Sequence, residues 1–322
     1  MQKKIPVNML RVGMYINLPL SWYEHTFLKS KFTVVSDKQI LKIKKTGLAE
    51  VIIETDKGID VADDRVPTDA ADHRQTTKPV ILDALLEAIH DTSLPASEKA
   101  TLIHEESIAV MQRLLDNPTA ENIITVKKGI TDVVNLILKD DTTTQYLLRI
   151  TSHDFYTYTH SVTVGVLGVA LARNLFNKTD RHNLNELGAG FFLHDLGKVH
   201  IDQAILNKPG RLTDDEMKEV RRHPLLGFKL LNETRQLTEE CKQIVLYHHE
   251  REDGRGYPKG LKGEEIHIYG RICTIADVYE ALTSDRPYRN KMTPFNALKL
   301  MREEMIHHFQ PDLFEKFVMM FK

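Results

Sequence analysis

Cysteine is nearly missing from this sequence: Cys241 and Cys273 are the two copies in 322 residues, each isolated in an apolar helical pattern. Two scattered thiols exclude a disulfide framework and a thiolate metal site, and they suit core positions in a reducing compartment. Long hydrophobic runs are missing as well. The longest apolar stretch, Val162 to Ala172, stops at Arg173 and is too short to span a bilayer, and the opening Met1-Gln-Lys-Lys-Ile-Pro6 has no apolar signal core. Charge of one sign is also lacking. With a formal net charge of −2 there is no global basic field for a nucleic-acid polymer, so any phosphate must be bound locally. These absences predict a cytoplasmic protein with no transmembrane segment.

Its apolar and charged fractions are those of a folded soluble chain, and its length suits one sizeable domain plus a smaller one. Residues 1–57 read as a small α+β accessory domain. Strands are expected at Gly13–Leu20, Lys31–Val35 and Glu50–Glu54, with a helix capped by Ser36 and stopped at Thr46-Gly47. Residues 58–118 read as a polar linker followed by connecting helices. The linker, 58–78, loses hydrophobic periodicity and holds a solvated His73; 79–90 and 98–115 are amphipathic helices that can connect, pair in a homodimer or relay a signal. From 119 to 322 an apolar residue recurs every three or four positions in Ile123–Leu138, Val162–Leu175, Leu184–Leu196, Met217–Leu231, Thr238–His249 and Ile268–Leu282. Thr213-Asp-Asp-Glu216 has a capping-box pattern and Thr293-Pro294 a helix start, so this part is predicted to be all-helical.

The chemistry gathers in that helical part. His194-Asp195 closes the apolar run Leu187-Gly-Ala-Gly-Phe-Phe-Leu193, where Gly197 predicts that a helix ends. The tandem His248-His249 likewise precedes the glycine-rich Asp253-Gly-Arg-Gly-Tyr-Pro258. Helix C-termini carry partial negative charge, so two such ends aimed at one point favour a cation. Asp277 sits inside Arg271-Ile-Cys-Thr-Ile-Ala-Asp-Val-Tyr-Glu-Ala-Leu282, where a buried carboxylate needs a partner. His160 and His223 complete the set. Singly, each has a plain alternative: a salt bridge for Asp277, a hydrogen-bonded core residue for His160, a helix-surface residue for His223. Together, five imidazoles and two carboxylates suit Fe, Mn, Co, Ni or Zn better than Ca or Mg. An aspartate beside a histidine can also spread its two oxygens over two metals.

His194-Asp-Leu-Gly-Lys198, His248-His-Glu-Arg-Glu-Asp-Gly-Arg-Gly-Tyr-Pro258 and Ser284-Asp-Arg-Pro-Tyr-Arg289 together resemble the HD-GYP branch of the HD-domain phosphohydrolases. The resemblance covers about residues 120–322, and the first segment looks like a domain that often precedes this module. It implies a mainly α fold, an all-helical HD-type catalytic domain behind a small α+β N-terminal domain. It also implies hydrolysis of cyclic di-GMP to linear 5′-pGpG, and on to GMP in some members, at two or three divalent ions, Fe or Mn above all, with Zn, Co and Ni as alternatives. On this sequence His160, His194, Asp195 and Asp277 would hold one metal, and Asp195, His223, His248 and His249 the other. Three-metal relatives carry a glutamate four residues before the first histidine. Tyr156 stands there instead, which favours two ions over three, although Asp154 is near.

Two metals clamp a phosphate, and a bridging hydroxide would be the nucleophile, because metal binding lowers the pKa of water from ~15.7 to about 7. Lys198, near the Asp195 bridge in sequence, can bind a phosphate oxygen or protonate the leaving group, or simply cap a helix. Arg286 and Arg289 are substrate-side cations on the strength of the resemblance. Tyr257 in Gly254-Arg-Gly-Tyr-Pro258 can stack on guanine or bond phosphate, and that loop can also face signalling-protein partners. Two other classes stay open: an adaptor that binds cyclic dinucleotide with low turnover, and another diiron HD enzyme, an oxygenase or general nucleotidase, which the Gly-Tyr-Pro segment argues against.

Overall fold

A computed structural model describes residues 2–17, 31–34, 40, 43–44, 48, 50–56, 80–150, 157–176, 181–208, 210–285 and 290–321. Contacts divide the chain into two compact units, Met1–Gln75 and Thr76–Lys322. In the first unit, β1 (Gln2–Pro6), β2 (Tyr15–Asn17), β3 (Lys31–Thr33) and β4 (Glu50–Glu54) form an antiparallel sheet in the order β1-β4-β2-β3. Val51 and Ile53 of β4 lie two apart and so share a face; opposite Ile5 and Ile16 they build a small core with Met14, Val34 and Ile43. The strand β1 is absent from the sequence expectations because Lys3-Lys4 and Pro6 look unlike a strand. It lies at a sheet edge, where lysines and a missing N–H are tolerated. Ile40 and Ile43 are helical and buried, while the caps Ser36 and Thr46-Gly47 and the segment 58–78 with His73 lie outside the described residues.

The described residues of the second unit are helical, from α1 (Asp83–His90) and α2 (Ala96–Asp116) through α3 (Ala120–Lys139), α4 (Asp141–Leu147) and α5 (Thr157–Phe176). There follow α6 (Leu184–Leu193), a 3-10 turn at Leu196–His200, α7 (Gln203–Leu206), α8 (Asp214–Val220), α9 (His223–Glu233), α10 (Glu239–Tyr247), α11 (Ile268–Thr283), α12 (Pro294–Glu303) and α13 (Pro311–Met319). The segments read as connectors are α1 and α2, and they are not free-standing. Leu85, Ile103, Met111 and Leu114 share one apolar core with Ile123 and Val126 of α3 and Val162 of α5. Periodicity marked their apolar faces; it carried no information on what those faces meet, and the break by contacts falls at 75/76 rather than 118/119.

Helix α5 is buried almost all round, which fits a central helix rather than a surface one. It packs closely on α6 through glycine. A Cβ at Gly165 would lie 2.3 Å from the Phe192 ring, and one at Gly168 would lie 2.7 Å from that of Phe191. This close approach brings His160, in the first turn of α5, to His194 at the end of α6. The expected caps are present: Thr213 and Glu216 form a reciprocal capping box, and Thr293 caps α12. Met217–Leu231 differs from expectation, because it is two helices broken at Arg221-Arg222. Pro224 has no N–H to bond the Val220 carbonyl, and that carbonyl instead accepts from His223 Nδ1 at 2.7 Å. Among the described residues no helix is long and apolar enough to cross a membrane.

Candidate metal centre

Four helix ends or first turns and one mid-helix position deliver the seven expected residues to one buried place. His194 caps the C-terminus of α6 and His248 that of α10, as the glycines after them predict; His223 opens α9, and Asp277 faces inward from mid-α11. His194, Asp195, His223 and His248 are at most 1% exposed. Their imidazoles are oriented from behind. His194 Nδ1 donates to the Phe191 carbonyl at 2.8 Å, His223 Nδ1 to Val220 at 2.7 Å and His248 Nδ1 to Val245 at 3.0 Å. In a neutral ring with Nδ1 protonated, Nε2 carries a lone pair. All three lone pairs point inward.

Two of them face each other. His223 Nε2 lies 3.1 Å from His248 Nε2, and His160 Nε2 lies 3.2 Å from His194 Nε2. Two facing imidazole lone pairs repel unless a cation lies between them. A separation near 3 Å is also the edge expected of a coordination shell with metal–nitrogen bonds of about 2.0–2.1 Å. Asp195 Oδ1 is buried without a hydrogen bond although His223 Nε2 is 3.1 Å away, since that nitrogen has no proton to give. These residues fit a divalent ion on their own chemistry.

The donor atoms fall into two sets. Asp195, His223, His248 and His249 form one and His160, His194 and Asp277 the other, the atoms of each within 4.8 Å of one another. Asp195 faces both. Its Oδ1 is 3.1 Å from His223 and 3.8 Å from His248, while its Oδ2 is 3.3 Å from His160 and 3.5 Å from His194. Asp277 is placed similarly, with Oδ1 3.3 Å from His160 and Oδ2 3.4 Å from His249 Nδ1.

Protonation suits ligation. Burial pushes His194 and His248 down from the usual histidine range, and it takes His249 down to about 3 against the pull of Asp277. Burial opposes ionisation of Asp195, but the neighbouring Lys198 above all, and then His194, outweigh it and hold the carboxyl well below its usual value. Asp277 is lowered in the same way, chiefly by His160 and His249. Near neutral pH the cluster therefore offers neutral imidazoles beside ionised carboxylates. His160 differs: burial disfavours its charge, but Glu280, Asp195 and Asp277 raise it well above the histidine range.

Several supporting residues are absent from the sequence reading. Glu280, 1% exposed, accepts from His160 Nδ1 and from Ser284 Oγ. Its spacing of three from Asp277 puts both carboxylates on one face of α11, a signal the sequence does carry. Glu250 accepts from the backbone N–H of Lys259 at 2.7 Å and of Leu261 at 2.9 Å, which folds the loop after His249. At Gly256 a Cβ would lie 2.5 Å from backbone atoms of His249, Glu250 and Arg251, so only glycine fits that turn. Tyr257 follows, its ring stacked on His249 at 4.6 Å and its phenol pushed up by burial and by Asp277 and Asp195, so it stays protonated. Lys198 Nζ pairs with Asp195 Oδ2 at 2.5 Å. Arg286, Arg289, Tyr156 and Asp154 lie outside the described residues.

Comparison with known proteins agrees with this geometry. The HD-domain family profile matches residues 146–313, and a domain of unknown function (DUF3391) matches 2–128, running from the first unit into α3. A cyclic di-GMP phosphodiesterase of Pseudomonas aeruginosa is 36% identical over 99% of this chain and 76% of its own length. A 3′3′-cGAMP-specific phosphodiesterase of Vibrio cholerae is 41% identical over 38% of this chain and 24% of its own. An HDG"Y"P protein from Bdellovibrio bacteriovorus has the same fold, with a TM-score of 0.63 and 18% identity over 98% of each chain. The chain belongs to the HD-domain family, in its HD-GYP branch, a family with a divalent metal site.

Proposed function

We propose that this protein is a cytoplasmic phosphodiesterase that opens cyclic di-GMP to linear 5′-pGpG at a pair of divalent ions. The observation that carries the reading is Asp195, whose two oxygens face two separate imidazole sets beside an open cleft. His160, His194, Asp195 and Asp277 would hold one ion; Asp195, His223, His248 and His249 the other. When bound, such a pair neutralises phosphate charge and makes water acidic enough to supply a nucleophile near neutral pH. The chain's own groups do the rest. Buried Nδ1–H bonds fix the ring tautomers, so the ligand geometry needs no rearrangement when substrate arrives. Lys198, tied to Asp195, would donate from its ammonium to a phosphate oxygen or to the leaving ribose oxygen. Arg286 and Arg289 are proposed as further substrate cations. The mixed nitrogen and oxygen donor set suits Fe, Mn, Co, Ni or Zn, the resemblance to the HD-GYP family favours Fe or Mn among them, and the binding of two rather than three rests on Tyr156.

The test is reconstitution without oxygen using Fe(II) or Mn(II), with metal count and hydrolysis of cyclic di-GMP and cyclic GMP-AMP measured on one sample. Two ions and a pGpG product support the reading. Full metal occupancy without turnover of either nucleotide overturns it in favour of a binding adaptor.

A further inference from the structure

Beside His249 and Asp277 the cleft is walled by Arg221, Arg251, Arg255 and Tyr257. The three guanidinium groups are not equivalent. Arg251 is neutralised by Asp253, whose two oxygens lie 3.0 Å from its Nε and 2.5 Å from its Nη2. Arg221 and Arg255 are exposed, and among the described residues neither side chain makes an ion pair. The neighbouring Arg222 shows the alternative, since it pairs with Glu219 at 2.8 Å. Arg221 turns to the cleft instead. Its guanidinium carbon is 5.2 Å from the centroid of the Tyr257 ring, the ring that stacks on His249. A cation is thus held in place, by an aromatic contact that leaves its N–H groups unspent, one side chain away from a candidate metal ligand.

The substrate supplies the matching need. A cyclic dinucleotide has two phosphodiesters, and a metal pair held by these residues would engage the one being cleaved. The other enters the cleft with a full negative charge and loses water there, which is unfavourable unless a charged donor meets it. A guanidinium suits a phosphate better than an ammonium, because its planar fork can engage two oxygens together. We propose that Arg221, assisted by Arg255, forms a second anion subsite that holds the phosphodiester not under hydrolysis. The proposal rests on the cyclic-dinucleotide reading above. It also gives Tyr257 a definite part: the ring orients Arg221 as well as covering His249.

The test uses the metal-loaded full chain and the variants Arg221→Met, Arg221→Lys and Arg255→Met. Methionine keeps apolar packing on Tyr257 without the charge. Binding is read with a slowly hydrolysed phosphorothioate analogue of cyclic di-GMP, and turnover with cyclic di-GMP and with bis(p-nitrophenyl) phosphate, which has one phosphodiester. For Arg221→Met the analogue should bind about 10- to 100-fold more weakly, as expected for a lost charged hydrogen bond. The loss should fall in KM rather than kcat, and should exceed any loss on bis(p-nitrophenyl) phosphate by about tenfold, the same charged hydrogen bond being at stake. Arg221→Lys should be intermediate, Arg255→Met milder, and the salt dependence of binding shallower in both methionine variants. Wild-type affinity in Arg221→Met overturns the proposal. So does an equal loss on both substrates or a loss of metal, which would make Arg221 a support for Tyr257. A wild-type protein that cleaves bis(p-nitrophenyl) phosphate but neither binds nor cleaves a cyclic dinucleotide would instead overturn the substrate reading, and this subsite with it.

Discussion

Replacing Glu280 by glutamine tests whether the centre is tuned from behind. His160 presents Nε2 to Asp195, Asp277 and His194 and Nδ1 to the Glu280 carboxylate, so the acid fixes the tautomer and makes the ring a stronger donor. Against the burial that disfavours charge on His160, Glu280 is the largest of the opposing influences. Glutamine keeps the shape and an oxygen acceptor but removes the charge. Loss of such a partner weakens metal affinity by about 10- to 100-fold, or about 1.4–2.7 kcal/mol. The assay is Mn(II) titration of metal-free protein against a competing chelator, with melting of the metal-free variant to check its fold. The same substitution in a His160→Ala background should cost almost nothing further, because its effect passes through that ring. An affinity within about twofold of wild type, or an equal loss with and without His160, would refute the reasoning, the expected single loss being at least tenfold.

Asp195→Ala should lose metal and hydrolysis together, and full occupancy in that variant would disprove a shared ligand. Gly197→Ala should destabilise by about 3 kcal/mol, read as a fall in melting temperature, because its Cβ would lie 2.0 Å from the His223 carbonyl oxygen and 2.4 Å from the Gly227 nitrogen. An unchanged melt would show that the turn after Asp195 can part from α9. The stability of the metal-free protein should fall as pH drops from about 6.5 toward 4.5, because the unfolded chain then takes up protons that His194, His248 and His249, lowered by burial, refuse when folded. Each contributes up to about 1.4 kcal/mol per pH unit. The raised His160 works in the opposite sense near the top of that window, where the unfolded histidine is still partly neutral, and adds no slope once both states are charged below about pH 5.5, while the lowered Asp195 and Asp277 extend the loss below about pH 4. A melting temperature that stays flat between those pH values would contradict the burial argument.

The cluster of candidate ligands was legible because coordination chemistry restricts residue type, and because His194-Asp195 and His248-His249 sit beside glycines that mark helix ends. The mainly helical class was legible for a related reason, since a repeat of three to four survives whatever the helix packs against. Other features depend on contacts that no local pattern encodes. The spacing of Glu280 from Asp277 shows that the two share a helix face, but only the approach of α5 gives Glu280 His160 as a partner. Arg221 looks like any surface arginine until the loop after Glu250 brings Tyr257 beneath it. The break before His223 had a visible cause in Pro224, but the apolar repeat on either side concealed it. Helices α1 and α2 showed their apolar faces without showing that the rest of the bundle covers them.

The converging lone pairs have a consequence for the bundle as a whole. They make the middle of an otherwise self-consistent core a patch of local frustration, in which neighbouring groups are each well placed yet mutually unfavourable. Anything that relieves that conflict in the folded state alone is linked to folding, and every tenfold excess of a bound ion over its dissociation constant adds about 1.4 kcal/mol to the cost of unfolding. Because the donor groups around that patch come from α5, α6, α9, α10 and α11, or from the residues just after α6 and α10, the relief would be shared by five helices rather than one loop. A divalent ion bound there would tie the cooperativity of the bundle to its own supply, so that depletion of the ion would loosen the fold itself.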